Sequence, residues 1–155
     1  MANDALELMK QISLFRQLGE AELTLLWAMG QEVGLPAGYA LETPAGEPPV
    51  LWVILDGRVD ITFPQPRVEE GYATLFGPEI WGASSLVPPF ASPGRAVTGT
   101  ACRVLKLGAH EVRTLAEQNP RLGMRIYEAL ATHFSQRFRG LIEQPLSTRR
   151  PATDD

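Results

Sequence analysis

The residues with the clearest chemical potential lie between positions 77 and 101. A glycine is followed there by side chains small enough for backbone N–H groups to approach a bound anion: Gly82, Ala83, Ser84 and Ser85. Arg95 follows a proline-rich stretch and begins a run of small and β-branched residues. A guanidinium in such a strand needs an anionic partner, either a bound phosphate or a carboxylate such as that of Glu79. The segment predicts an anion site, with a surface position for Arg95 as the alternative.

Catalytic and metal-binding motifs are missing from the sequence. It contains no P-loop, no dinucleotide-binding glycine motif and no His-Glu-x-x-His zinc motif. The two histidines, His110 and His133, lie in segments predicted to be helical, whereas a metal-dependent β-roll needs clustered histidines within its strands. Cys102, the single cysteine, lies in a predicted strand and is expected to be a buried, unreactive thiol. We therefore expect a protein that is not an enzyme and holds no metal.

Three stretches of different composition must position the candidate residues. Apolar residues at helical spacing predict N-terminal helices over residues 4–30. Short β-branched and aromatic runs between glycines and prolines predict a small β-roll over residues 34–107. Helical patterns return over residues 110–143, so that residues 1–143 form a single domain, and residues 144–155 are expected to be a disordered tail.

Within the predicted roll, individual strands can be assigned. Residues 51–55 form a compact apolar run, and Asp56-Gly57 follows as a strong hairpin signal. Apolar and polar residues alternate over residues 58–63, which predicts a half-buried return strand. Residues 72–76 predict another short strand, and residues 95–107 predict one or two more.

The long helix, predicted to begin at Pro120 with Asn119 as its cap, has two apolar faces. One row consists of Leu122, Ile126 and Leu130. The other, called the seam below, has coiled-coil-like spacing and consists of Met124, Tyr127, Ala131, Phe134, Phe138 and Leu141. A helix with two apolar faces usually has two partners, so we predict a homodimer through the seam. The alternative is that one monomer buries both faces.

Length and charge limit the classes of function. The 155 residues, of which 45% are hydrophobic, suit one folded domain. The net charge of −4 argues against a bulk nucleic-acid binder, although residues 95–155 carry 10 basic and 6 acidic side chains. The sequence shows neither a membrane-spanning stretch nor a signal peptide, so a cytoplasmic protein without membrane contact is expected.

Four pieces of the sequence, in order, resemble the cyclic-nucleotide-binding domain of catabolite-activator-type regulators, protein kinase A regulatory subunits and nucleotide-gated channels. ISLFRQLGEAELTLL resembles the family's leading helical pair, and LWVILDGRVDI its strand–glycine–strand unit. GPEIWGASSL, followed by GRAVTGTA, resembles the phosphate-binding cassette, and the closing helix resembles the helix that covers the ligand and forms dimers. The resemblance implies a mainly β fold: a jelly-roll-like, eight-stranded β-roll with N-terminal helices and a long C-terminal helix.

The resemblance also implies a ligand site. In the family a cassette arginine neutralises the cyclic phosphate, and Arg95 occupies that place. The candidate ligand-binding residues are Gly82, Ala83, Ser84, Ser85, Arg95 and Ala96. Ala83 replaces the family's glutamate, which binds the ribose hydroxyl, so cyclic AMP or cyclic GMP is expected to bind weakly. Ala83→Glu is expected to improve affinity about tenfold.

Three functional hypotheses follow from the resemblance. The leading one is a sensory or regulatory domain that binds a small anionic ligand and signals through its C-terminal helix. An interaction or dimerisation module with a vestigial pocket is the alternative. The sensor half of a transcription factor is disfavoured, because about a dozen residues after the long helix are too few for a helix-turn-helix, so no DNA binding by this chain is expected. The single cysteine excludes an iron–sulfur cluster, whereas haem and the downstream protein partner are left open.

Overall fold

A computed structural model describes residues 2–43, 47–63, 71–91 and 94–143, and the predicted tail at 144–155 lies outside these residues. The helices are α1 (Ala2–Lys10), α2 (Glu20–Met29), α3 (Ala109–Gln118) and α4 (Pro120–Glu143). The strands are β1 (Gln31–Leu35), β2 (Val50–Asp56), β3 (Arg58–Phe63), β4 (Gly71–Phe76), β5 (Glu79–Trp81), β6 (Arg95–Thr98) and β7 (Cys102–Gly108). Two short 3-10 helices, Ser13–Phe15 and Ala83–Leu86, are called the 13–15 turn and the 83–86 turn.

The strands form two antiparallel sheets, one in the order β1-β7-β2-β5 and the other in the order β4-β3-β6. The arrangement agrees with the predicted roll between N-terminal and C-terminal helices. Seven strands lie in the described residues, where eight were expected, and Ala40 adds an isolated bridge to Val97. The roll begins at Gln31 rather than at residue 34, because all of β1 pairs with β7.

β2 is the central element because both of its faces are buried. Leu51, Val53 and Leu55 face the helices, whereas Trp52 and Ile54 face the space between the two sheets. We call the first cluster the helix-facing core; its largest members include Met9, Ile12, Leu14, Leu23, Leu26, Leu51, Ile80, Leu105 and Leu107. We call the second the roll interior; it contains Leu35, Leu41, Trp52, Ile54, Val59, Ile61, Trp81, Ala96, Cys102 and Val104.

The predicted hairpin at Asp56-Gly57 is wrong. β2 and β3 belong to different sheets, and Gly57, with φ of 110°, lies where the chain crosses from one sheet to the other. The physical reason is that β5 and β7 occupy both edges of β2, so no edge is left for β3. The two strands instead pack face to face across the roll interior, where Ile54 and Ile61 are both fully buried.

Side chains accept hydrogen bonds from backbone N–H groups at the starts of α2 and α4, and the predicted cap of α4 is confirmed. The Glu22 carboxylate accepts a hydrogen bond of 3.0 Å from the backbone N–H of Gly19, at the first turn of α2. Asn119 caps α4, since its side-chain oxygen accepts a hydrogen bond of 3.3 Å from the backbone N–H of Leu122. α3 ends directly before this cap, and α3 and α4 pack against each other beside the roll.

Candidate functional site

The 83–86 turn is built on a glycine that no other residue can easily replace. Gly82 has φ of 91°, and a Cβ at this position would lie 2.8 Å from the backbone oxygen of Val50 in β2. The Ser85 N–H donates a 2.9 Å hydrogen bond to the Gly82 carbonyl oxygen, and the Ser85 hydroxyl donates to the same oxygen at 2.5 Å. The predicted small-residue turn is therefore present, with the Ser85 hydroxyl engaged inside it.

Position 83 faces the helices. Ala83 is buried, and it belongs to the helix-facing core, whereas Ser84 is half-buried. The turn that carries them packs against α3 and against β2. A longer side chain at position 83 must therefore either displace this apolar core or turn away from it to reach a ligand.

Arg95 lies on the outer surface of the roll. Residues of β6 alternate, so that Ala96 and Thr98 are buried while Arg95 and Val97 point outward. The Arg95 side chain is 77% exposed, and its Nε lies 3.4 Å from a carboxylate oxygen of Glu42. The surface alternative is thus the one observed, with Glu42 rather than Glu79 as the acidic partner.

The register of β6 explains this outcome. Ile61 of β3 is opposite Ala96, and both side chains point into the roll interior. Side chains two residues apart share a face, so the next inward position before Ala96 is Gly94, which has no side chain. Neighbouring residues of a strand point to opposite faces of the sheet. Arg95 directly precedes Ala96, so it points away from the roll interior.

The polar groups buried in this region are already paired with backbone. The Thr98 hydroxyl donates to the Pro36 carbonyl oxygen at 2.6 Å and accepts from the Tyr39 N–H at 2.8 Å. Ser85, Thr98 and His133 are the buried polar residues of the described part of the chain, and no lysine, arginine or carboxylate joins them. The roll interior, as far as it is described, is therefore apolar.

The seam of α4 is exposed, whereas the opposite face of the helix is buried. Leu122, Ile126 and Leu130 pack into the helix-facing core, as predicted for the first row. Met124 is 74% exposed and Phe138 64% exposed, and Tyr127, Ala131 and Phe134 are exposed as well. The Leu141 side chain lies outside the described residues. The alternative in which one monomer buries both faces is therefore excluded for the described seam residues.

Other candidate chemistry can be placed briefly. Cys102 is buried, as predicted, and its sulfur lies 3.4 Å from the backbone oxygens of both Arg58 and Thr100, either of which can accept its one S–H proton. Within the described ranges, no group of three or more His, Cys, Asp or Glu side chains could hold a metal ion. None of the described helices is long and apolar enough to cross a membrane.

Comparison with known proteins gives a structural likeness without a sequence match. No protein-family model matches the sequence, and no curated protein matches it. A cyclic nucleotide-binding domain from Methylobacillus flagellatus is similar with a TM-score of 0.79 and 22% identity, over 99% of this chain and 86% of that one. The N-terminal domain of a transcriptional regulator from Streptomyces coelicolor is similar with a TM-score of 0.69 and 22% identity, over 83% of this chain and 93% of that one.

A third structure shows how far the likeness extends. The catabolite activator protein of Thermus thermophilus is similar with a TM-score of 0.67 and 21% identity, over 83% of this chain and 61% of that one. This chain thus spans less than two thirds of that protein. Similarities at this level of identity establish architecture, and they agree with the resemblance noted in the sequence. The chain has the fold of the cyclic-nucleotide-binding domains.

Proposed function

We propose that this chain is a regulatory, non-enzymatic domain that acts as a homodimer through the seam of α4. The observation that carries the proposal is the exposed seam on a helix whose other face is already packed. A contiguous exposed apolar patch marks an interaction surface, whereas single apolar side chains scattered over a surface need no explanation. The likeness to the N-terminal domain of a transcriptional regulator supports a regulatory rather than a catalytic role.

A second copy of the chain fits the seam because of its spacing. The described seam residues are spaced so that they lie along one stripe of the helix: Met124, Tyr127, Ala131, Phe134 and Phe138. Two such stripes related by a two-fold axis can bury each other, and a two-fold interface uses the same surface on both partners. The exposed aromatic side chains are the expected anchors of that interface.

Phe138→Glu is expected to convert the dimer to a monomer. The substitution would place a carboxylate without a partner within an apolar interface, whereas most of the Phe138 side chain is exposed in a single chain. Sedimentation analysis should give twice the chain mass for the wild type and the chain mass for the variant. Gln136→Glu, which adds the same charge at another exposed position of α4, should remain dimeric. A wild-type monomer at high micromolar concentration would contradict the proposal.

For the ligand, we propose that the interaction-module alternative applies and that cyclic nucleotides bind weakly or not at all. Two observations support this choice. Arg95, the candidate phosphate partner, points outward and lies beside Glu42. Ser85 and Thr98, the buried hydroxyl groups of the described residues, are bonded to backbone. A cyclic phosphate that entered the roll would lose its hydration without gaining a charged partner from these groups.

Calorimetry with cyclic AMP and cyclic GMP tests this proposal. We expect dissociation constants of about 10 µM or weaker, since each lost charged hydrogen bond weakens binding by about tenfold or more. Arg95→Ala is expected to change any measured affinity by less than about twofold, because an exposed side chain contributes little. Nanomolar binding that Arg95→Ala abolishes would show that the guanidinium turns inward with ligand. That result would restore the anion-sensor hypothesis.

A further inference from the structure

His133 is a buried histidine at the contact between α4 and the 13–15 turn. It is 6% exposed and lies on the face of α4 opposite the seam. Its Nδ1 is 3.5 Å from the Ser13 hydroxyl oxygen, and its ring meets that of Phe134 edge to face at 5.7 Å between centroids. The neighbouring residues Leu14 and Leu130 belong to the helix-facing core. The imidazole thus closes the core where α4 meets the N-terminal segment.

We propose that His133 is a proton-responsive contact, which holds α4 against the 13–15 turn when neutral and releases α4 when protonated. The geometry offers the neutral ring a hydroxyl neighbour and an aromatic edge, and among the described residues no carboxylate forms an ion pair with this ring. A charged ring at this depth must regain water, and it can do so only where α4 and the turn separate. The proposal concerns a single chain and does not depend on dimerisation.

The charged groups around His133 act in opposite directions. Burial is the main cause that lowers the pKa of His133 below its ordinary value of 6.5, and the Arg137 cation on the same helix lowers it further. Glu79, which comes from β5, opposes them and raises the pKa. The 13–15 turn contributes the neutral hydroxyl of Ser13. The net effect favours the neutral imidazole in the folded chain.

The direction of the pH effect follows from this lowered pKa. Between the folded pKa and 6.5 the unfolded chain binds more protons than the folded one, so stability rises with pH there. The contribution is fully present above about pH 6.5 and is lost as the pH falls toward the folded pKa. Over that window the unfolding equilibrium constant should increase by up to about tenfold for each unit by which the pH falls.

Proton NMR titration of the histidine rings in the full chain tests the proposal directly. The resonance that disappears in His133→Gln should titrate below pH 6.5 in the wild type. Arg137→Gln should move its midpoint up and Glu79→Gln should move it down, because these variants remove the like charge and the opposite charge. His110→Gln, which alters the exposed histidine of α3, should leave the midpoint unchanged. A His133 midpoint at or above 6.5 would overturn the proposal.

Two further measurements separate the switch from a purely structural role. Urea unfolding between pH 5 and pH 7.5 should show a shallower pH dependence in His133→Gln than in the wild type. Amide exchange, corrected for its intrinsic pH dependence, should accelerate at pH 5.5 in residues 12–18 and 126–134 of the wild type, but not in His133→Gln. If that variant fails to fold, the His133 resonance is assigned as the one that persists in His110→Gln, and the amide exchange of the wild type decides the matter. Equal pH dependence in wild type and variant, or acceleration spread over all elements, would refute release of α4.

Discussion

Replacing Ala83 by glutamate is expected to lower the free energy of unfolding by about 3 kcal/mol or more at pH 7, because it buries a carboxylate. Position 83 lies in the helix-facing core, where the 83–86 turn packs against α3. The new carboxyl group would have a raised pKa, since burial disfavours its charged form. Its destabilising effect should therefore be largest at neutral pH and should shrink as the pH falls toward 4.3, the ordinary value for glutamate.

Ala83→Gln is the matched control for that experiment. It adds nearly the same volume without a charge, so its loss of stability should be smaller and should not vary with pH. Urea unfolding of both variants at pH 5 and pH 7 gives the comparison. The sequence alone predicts a different result, namely a gain in cyclic nucleotide affinity. If Ala83→Glu keeps wild-type stability and binds cyclic AMP about tenfold more tightly, the side chain faces a ligand cavity and the interaction-module proposal fails.

Elements marked by local patterns could be predicted from the sequence. The apolar run at residues 51–55 is the central part of β2. The pair Asn119-Pro120 correctly indicated the cap of α4 at Asn119. The two faces of α4 were separable because helical periodicity sorts residues by angle around the axis. These signals act over a few residues, so a single sequence contains all the information that they need.

Features that depend on sheet pairing could not be predicted in the same way. Asp56-Gly57 has the composition of a hairpin turn, but the availability of an edge on β2 is decided by β5 and β7. Arg95 has the residue type of a phosphate ligand, but the register of β6 decides which face of the sheet its side chain occupies. A shift of that register by one residue would place it on the other face. Likewise, the burial of His133 results from packing against a turn 120 positions earlier in the chain.

Gly57→Ala is expected to cost about 3 kcal/mol of unfolding free energy. The residue has φ of 110°, a conformation that side chains with a Cβ rarely adopt. The added Cβ would lie 2.5 Å from the Cys102 sulfur and 2.7 Å from the Ala101 carbonyl oxygen. Backbone strain and overpacking thus act together, and each contributes about 1–3 kcal/mol. Gly34→Ala is the control, because a Cβ at that exposed position of β1 meets nothing within 4 Å.

The loss of stability in Gly57→Ala does not by itself distinguish a crossing between sheets from a hairpin, because tight hairpin turns also need positive φ at glycine. What the variant does test is the contact of Gly57 with the start of β7, where Asp56 pairs with Arg103. In a double-mutant cycle, Cys102→Ala should therefore relieve part of the Gly57→Ala defect, by about 1 kcal/mol, while the clash with the Ala101 backbone persists. Additive losses would show that residue 57 does not meet Cys102, and the overpacking part of the prediction would then be incorrect.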